Sequence, residues 1–405
     1  MKKLVAIIII LSITLSACSY FNSDNVKPED HKPPQNKNSS SKADTLNAVW
    51  INYYELSMEA QKGGSQALFT EKISTMFSNL RKQGIDTAIV QVRPYSDAFY
   101  KSSIYPYSKY ITGTQGKDPG YDPLAVICEQ AKKYSLKIHA WINPYRVLYS
   151  TDFSKLSKDN PARKWHEDDN KGNDDWIFIL DNGIYYNPAI PEVRKIIIDG
   201  AKEILLNYDV DAIHMDDYFY PSVNDNIDKR QYDAYKSSGG LRSLSDWRRD
   251  NVNTFVSGLY SAIKSIDPDC EIGISPCGDI EKNHTELYAD IGEWMSKDGY
   301  IDYIAPQVYY GFENETLPFE KVARQWSDLC GNKVKIYYGL AVYKCGVEDE
   351  FGGKGKNEWK NKDDIINRQI KFVCDLPAYD GIIFYSYKSF MNNIEDIDVK
   401  NKKQG

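Results

Sequence analysis

Paired carboxyl groups can divide proton-donating work from proton-accepting or nucleophilic work. Asp216 and Asp217 stand side by side at the end of Asp211-Ala212-Ile213-His214-Met215-Asp216, a run with the apolar content of a short buried strand. Side chains alternate along a strand, so His214 and Asp216 share one face, and Asp217 points to the other unless the strand ends or twists there. Asp216 is therefore the first candidate for catalysis. Asp217 is a candidate for contacting substrate, for orienting its neighbour, or for catalysis beside it. Other polar residues gather after further apolar runs: Arg93 and Asp97 within 91–100, Trp141, Asn143, Tyr145 and Arg146 within 139–146, Tyr218 after Asp217, and Gln307 and Tyr309 within 305–310. Each group mixes carboxylate, amide or guanidinium with Trp or Tyr. Such groups fix sugar hydroxyls while aromatic faces cover the apolar side of the ring, which is the inventory of a carbohydrate cleft.

The elements that must position these residues alternate from end to end. Short β-branched or aromatic runs predict strands at 48–53, 87–92, 137–142, 212–217, 271–275, 303–309, 334–340 and 381–385. Amphipathic stretches predict helices at 70–83, 122–134, 191–207, 252–266, 286–297, 319–330 and 363–374. Eight strands alternating with helices point to an α/β fold, a (β/α)8 TIM-type barrel, whose active site forms at the C-terminal ends of the strands. A doubly wound sheet would carry a Gly-rich turn after its first strand, where this chain has Asn52-Tyr53-Tyr54-Glu55. Long loops at 147–186 and 222–249, after the third and fourth strands, would form the rim.

Composition narrows the class. The chain has 405 residues and a formal net charge of −7, without the basic stripe of a nucleic-acid binder. Five histidines leave little for a metal centre, and His139 and His214 form neither an HxH nor an HExxH arrangement, so no metal and no cofactor are expected. The six cysteines beyond Cys18 show no CxxC clustering, and no disulfide framework is expected. Lys2-Lys3 followed by an apolar run at 4–15 reads as a secretory signal, too short to span a bilayer as a stable helix. It ends in Leu15-Ser16-Ala17-Cys18, which resembles a bacterial lipobox. That resemblance makes Cys18 the lipidated first residue of an exported protein held at the extracytoplasmic face of the cell membrane. Residues 19–45 are polar and Pro-containing, a flexible tether. The catalytic domain is expected at 46–395, with a flexible tail at 396–405.

The runs QVRPYSDAFY, HAWINPYR, HMDDYFYP, APQVYY and GIIFYSYKSF resemble the bacterial glycosyl-hydrolase-like family 10 lipoproteins, in order, over about 46–390. The resemblance implies a (β/α)8 glycosidase fold and action on peptidoglycan glycan strands, preferentially those stripped of stem peptides. Asp216 is also similar to the catalytic aspartate in the fourth-strand signature of several retaining glycosidase clans. Related barrels place an acid/base beyond the sixth strand, which favours Glu313 as the second carboxyl, with Asp97, Glu55 and Asp279 competing. His214 joins the substrate-binding candidates by sharing the Asp216 face. The expected activity is O-glycosyl hydrolysis by two carboxylates on a polysaccharide. A sugar-binding lipoprotein without catalysis and a metal-dependent polysaccharide deacetylase are the alternatives. Oligomeric state is not legible in the sequence.

Overall fold

The computed structural model describes residues 45–399, except 332, 362 and 363. Cys18, residues 19–44 of the tether and residues 400–405 of the tail therefore lie outside the described residues. Eight parallel strands close into a barrel, as the alternation predicts. They are β1 (Leu46–Ile51), β2 (Thr87–Arg93), β3 (Lys137–Ile142), β4 (Ala212–Met215), β5 (Glu271–Ile274), β6 (Tyr303–Ile304), β7 (Lys335–Leu340) and β8 (Gly381–Tyr385). Closure is direct: β1 pairs with β2 on one side and β8 on the other, with Trp50 opposite Tyr385.

Alternation along the strands sorts the core into two shells. Ala48, Trp50, Ile89, Trp141, Ala212, Tyr303, Tyr337 and Ile383 fill the lumen. Val49, Ile51, Val90, Ile138, Ile213, Ile272, Ile336 and Phe384 face outward into the layer of helices. Small residues in the lumen make room for large ones. A Cβ on Gly273 would sit 1.8 Å from the Tyr303 ring, so only glycine admits that tyrosine. The helices start where caps are available: Ser65 before Gln66–Lys82, Asp122 before Pro123–Tyr134, and Ser243 before Leu244–Ile266.

Several elements differ from the sequence reading, each for a local reason. The segment at 147–186 is not a plain loop. Arg146–Leu148, Ile177–Leu180 and Gly183–Tyr186 form a small antiparallel sheet, closed by the Asp181-Asn182 turn. The segment at 222–249 holds the helix Lys229–Ser237, and the following helix begins at Leu244. A buried Arg248–Asp228 ion pair of 2.7 Å ties that segment down, with Arg248 also donating to the carbonyls of Val223 and Asn224. The expected strand at 303–309 stops at Ile304, because Pro306 has no N–H for a ladder, and pairing resumes only at Gln307. Of the helix expected at 286–297 only Ile291–Ser296 forms, capped by Asp290, and a separate short helix, Ile280–Thr285, precedes it.

Candidate active site

β4 ends at Met215, one residue before Asp216. Strand alternation therefore no longer separates the two aspartates, and both line one cleft of about 250 Å³ at the C-terminal mouth. Trp141, Arg146, Tyr218, Gln307 and Tyr309 line it too, each expected from sequence.

The environments of the two carboxyls differ. Asp216 is almost fully buried and accepts hydrogen bonds from the Asn143 side-chain amide and, at 3.4 Å, from the Tyr218 N–H. Asn143 is itself oriented by Gln91, whose amide donates to its oxygen at 2.6 Å. Burial pushes the Asp216 carboxyl above the usual carboxylate range, against the pull of the Arg146 guanidinium and the Asn143 amide. Burial, and then the negative charge of Asp216, raise Asp217 to about 7, while the Gln307 amide opposes the rise. Two carboxyls this close resist being charged together, so the charge on one favours the proton on the other. Arg146 stays close because its guanidinium lies 3.8 Å over the Tyr218 ring.

Asn143 backs the cleft rather than lining it. Five other expected site residues are elsewhere. A register shift between Gln91 and Arg93 breaks the alternation of β2 and places Arg93 opposite the outward-facing Ile142. Its guanidinium is buried 4.7 Å over the Tyr105 ring, away from the cleft. Asp97 is also buried, accepting from the Gln115 amide at 3.2 Å, and burial raises it to about 6. Tyr145 is a core residue packed edge-on against Phe255. His214 lies below the cleft in the lumen, where the Trp50 indole N–H donates to its Nε2 at 3.1 Å and Nδ1 meets the Tyr303 hydroxyl at 2.8 Å. His139 shares that hydroxyl at 2.9 Å, and burial lowers the pKa of both imidazoles. Glu313 is exposed beyond β6 and outside the cleft lining, its backbone N–H donating to Glu358 at 2.7 Å.

Sequence reasoning passed over Trp50, Asn52, Tyr53, Tyr54, Gln91, Ser275 and Tyr385, which complete the lining. Trp50 and Gln91 were readable from strand alternation alone. The Asn52–Glu55 turn is a capping box: the Asn52 oxygen accepts from the N–H groups of Tyr54 and Glu55, and Glu55 accepts from the Asn52 N–H at 2.9 Å. That turn aims Tyr53 and Tyr54 at the mouth.

Among the described residues no group of three or more His, Cys, Asp or Glu side chains is placed to hold a metal ion. Cys128, Cys270, Cys277, Cys330 and Cys374 are free thiols. No helix among the described residues is long and apolar enough to cross a membrane. The site can thus present two adjacent carboxyls, a guanidinium and several aromatic faces to a ligand.

The family described as Glycosyl hydrolase-like 10 matches residues 45–354. The glycosyl hydrolase YngK of Bacillus subtilis is 37% identical over 369 residues, covering 86% of this chain and 69% of its own. The glycosyl hydrolase DigH of Escherichia coli is 30% identical over 419 residues, covering 94% of this chain and 91% of its own. Among solved structures, the glycoside hydrolase domain of PgaB (BpsB) from Bordetella bronchiseptica superposes with a TM-score of 0.60. That match has 11% identity and covers 87% of this chain and 97% of that domain, a likeness of fold alone.

Proposed function

The chain belongs to the glycosyl hydrolase-like 10 family, and from that premise we propose that it hydrolyses a cell-wall polysaccharide, the glycan strands of peptidoglycan. The observation that carries this reading is the Asp216–Asp217 carboxyl pair on the floor of an aromatic-walled cleft at the barrel mouth. Asp217 suits the general acid, since an acid with a pKa near the working pH combines correct protonation with transfer power. Asn143 holds the pair from behind, while Arg146 and Gln307 line the cleft and would face the sugar's polar edge. Trp50, Trp141, Tyr309 and Tyr385 supply apolar faces.

The same proposal places the enzyme at the extracytoplasmic face of the cell membrane through acyl chains on Cys18, the residue that the lipobox singles out. The 26 residues from Ser19 to Asp44 would then give the barrel its reach into the wall.

The test is mass spectrometry of products from the purified protein incubated with intact peptidoglycan and with amidase-treated, peptide-free strands. New sugar fragments that disappear with Asp216→Asn are expected. Substrate left unchanged while binding survives would favour a sugar-binding lipoprotein instead.

A further inference from the structure

Resting on the glycosidase reading above, the arrangement of carboxyls also bears on how the sugar is attacked. A two-carboxyl mechanism sets its groups on opposite faces of the ring, about 5–5.5 Å apart for retention and about 6.5–9.5 Å for inversion. Here the only carboxyls lining the cleft, among the described residues, are consecutive and hang from the end of one strand. The walls contributed by β1, β8 and the turn after β6 present Trp50, Tyr54, Tyr385 and Tyr309 instead.

The carboxyls at other strand ends have structural work. Glu55 accepts from Asn52 N–H, Ser386 hydroxyl and Lys388 N–H at 2.9, 2.8 and 2.6 Å. Asp279 caps Ile280–Thr285, accepting from the N–H groups of Glu281 and Lys282. Asp97 is buried on Gln115, and Glu313 stands outside the cleft. Among the described residues no further carboxyl lines the cleft across from Asp216 and Asp217.

We propose that the attacking group is the substrate's own 2-acetamido carbonyl oxygen, with Asp216 receiving the acetamido N–H and Asp217 serving first as acid and then as base. The substrate class is a glycan with a 2-acetamido-2-deoxy sugar on the glycone side of the cleaved bond. In the first step the acetamido oxygen bonds to C1 as the bond from C1 to the leaving oxygen breaks. Asp217 gives its proton to that oxygen, and the N–H proton passes to Asp216, leaving a neutral oxazoline. In the second step water bonds to C1 as the oxazoline C1–O bond breaks. The water's proton goes to the Asp217 carboxylate and Asp216 returns its proton to nitrogen. Two displacements at C1 retain its configuration.

The donors around the pair fit these roles. Asn143, the Tyr218 N–H and Arg146 surround Asp216 and favour its charged form, which can accept a proton. Asp217, beside a charge already present, keeps the proton that the leaving oxygen needs.

The test uses peptide-free glycan strands, chemically de-N-acetylated and then either re-N-acetylated or N-trifluoroacetylated. Fluorine leaves the shape of the group and weakens its carbonyl as a nucleophile. Re-acetylated strands should be cleaved as native strands are. Trifluoroacetylated strands should compete for the enzyme yet be cleaved at least about tenfold more slowly. Proton NMR of the first-formed reducing ends should show retained configuration. Equal rates on the two modified strands, or an inverted first product, would overturn this inference and leave the glycosidase reading standing. No cleavage of native or re-acetylated strands would overturn both.

Discussion

At the N-terminal end of the barrel Asp86, Asp211, Asp302 and Asp380 each precede an even-numbered strand and repeat one task, whereas Asp216 and Asp217 at the C-terminal end have no counterpart on another strand. Each of the four accepts from a backbone N–H of the preceding odd-numbered strand: Asn47 at 3.0 Å, Ile138 at 2.8 Å, Ile272 at 2.7 Å and Ile336 at 2.8 Å. Each also donates its own N–H to the carbonyl of that same residue. The result is a fourfold ring of closed pairs that satisfies polar backbone where the strands begin. The cavity at that end, about 770 Å³, is larger than the cleft at the mouth and richer in carboxyls. Size and acidity therefore do not mark the reactive end. What distinguishes the mouth is that its two carboxyls crowd one another, while those of the ring each meet a donor.

The comparison breaks most visibly under Asp217→Asn. Loss of the acid should lower turnover of glycan strands by about 10³-fold or more. Thermal unfolding should not fall below wild type, because the substitution relieves repulsion with Asp216. A variant that lost activity by unfolding would show it in a lowered Tm, and would make the mouth another structural feature like the ring.

The converse substitution is Asp380→Ala, which strands the Ile336 N–H at the start of β7. A lost buried partner costs about 1–3 kcal/mol, to be read by denaturant unfolding, with kcat and KM unchanged because the mouth lies at the opposite end of the strands. A drop in kcat without a drop in stability would show the two ends to be coupled through the barrel.

How much of this was legible in the sequence follows from how local each signal is. Strand and helix alternation depends on periodicity within a few residues, and it located all eight strands, with Lys137–Ile142 and Gly381–Tyr385 matching to the residue. The ring went unseen as a repeat because only one residue recurs, in Ile85-Asp86-Thr87, Val210-Asp211-Ala212, Ile301-Asp302-Tyr303 and Tyr379-Asp380-Gly381. The antiparallel sheet after β3 announced itself weakly, through Asp181-Asn182-Gly183 between two apolar runs. In the site, Asp216 follows from alternation, but the place of Asp217 depended on where β4 stops. Arg93 depended on a bulge in β2, which no pattern of residue types displays. Glu313 was placed by analogy with related barrels, and the turn after Pro306 carries it out of reach.

A pH series sharpens the contrast further. The ordinary Asp value in an unfolded chain is about 3.9, and Asp217 is raised to about 7 in the folded protein. The folded state therefore binds this proton more tightly, so the stability it contributes is present at low pH and lost as pH rises from about 4 to about 7. Asn carries no such proton. The Tm of Asp217→Asn relative to wild type should climb across that window and level off above it. In wild type, kcat/KM should decline above about pH 7 as the acid loses its proton. A Tm difference flat from pH 4 to 8 would mean that Asp217 ionises normally and that the crowding at the mouth has no energetic consequence.

The smallest effect separates the aromatic residues at the two ends. Tyr303 and Tyr337 are buried in the lumen, rings 5.0 Å apart, and serve packing. Tyr54 at the mouth is 64% exposed, although its ring lies 4.0 Å from Tyr53 and 5.4 Å from Tyr110. An exposed face held in place by two neighbours is preorganised to stack on a sugar. Tyr54→Ala should raise KM on glycan strands by about three- to tenfold, the equivalent of about 0.5–1.5 kcal/mol of ring contact, with kcat retained. Tyr54→Phe should restore KM, because the face and not the hydroxyl makes the contact. Stability should change little, since the ring covers little of the core. A fall in kcat at constant KM would instead give Tyr54 a contact made only in the transition state. Its ring would then belong with Asp216 and Asp217 rather than with the walls of the cleft.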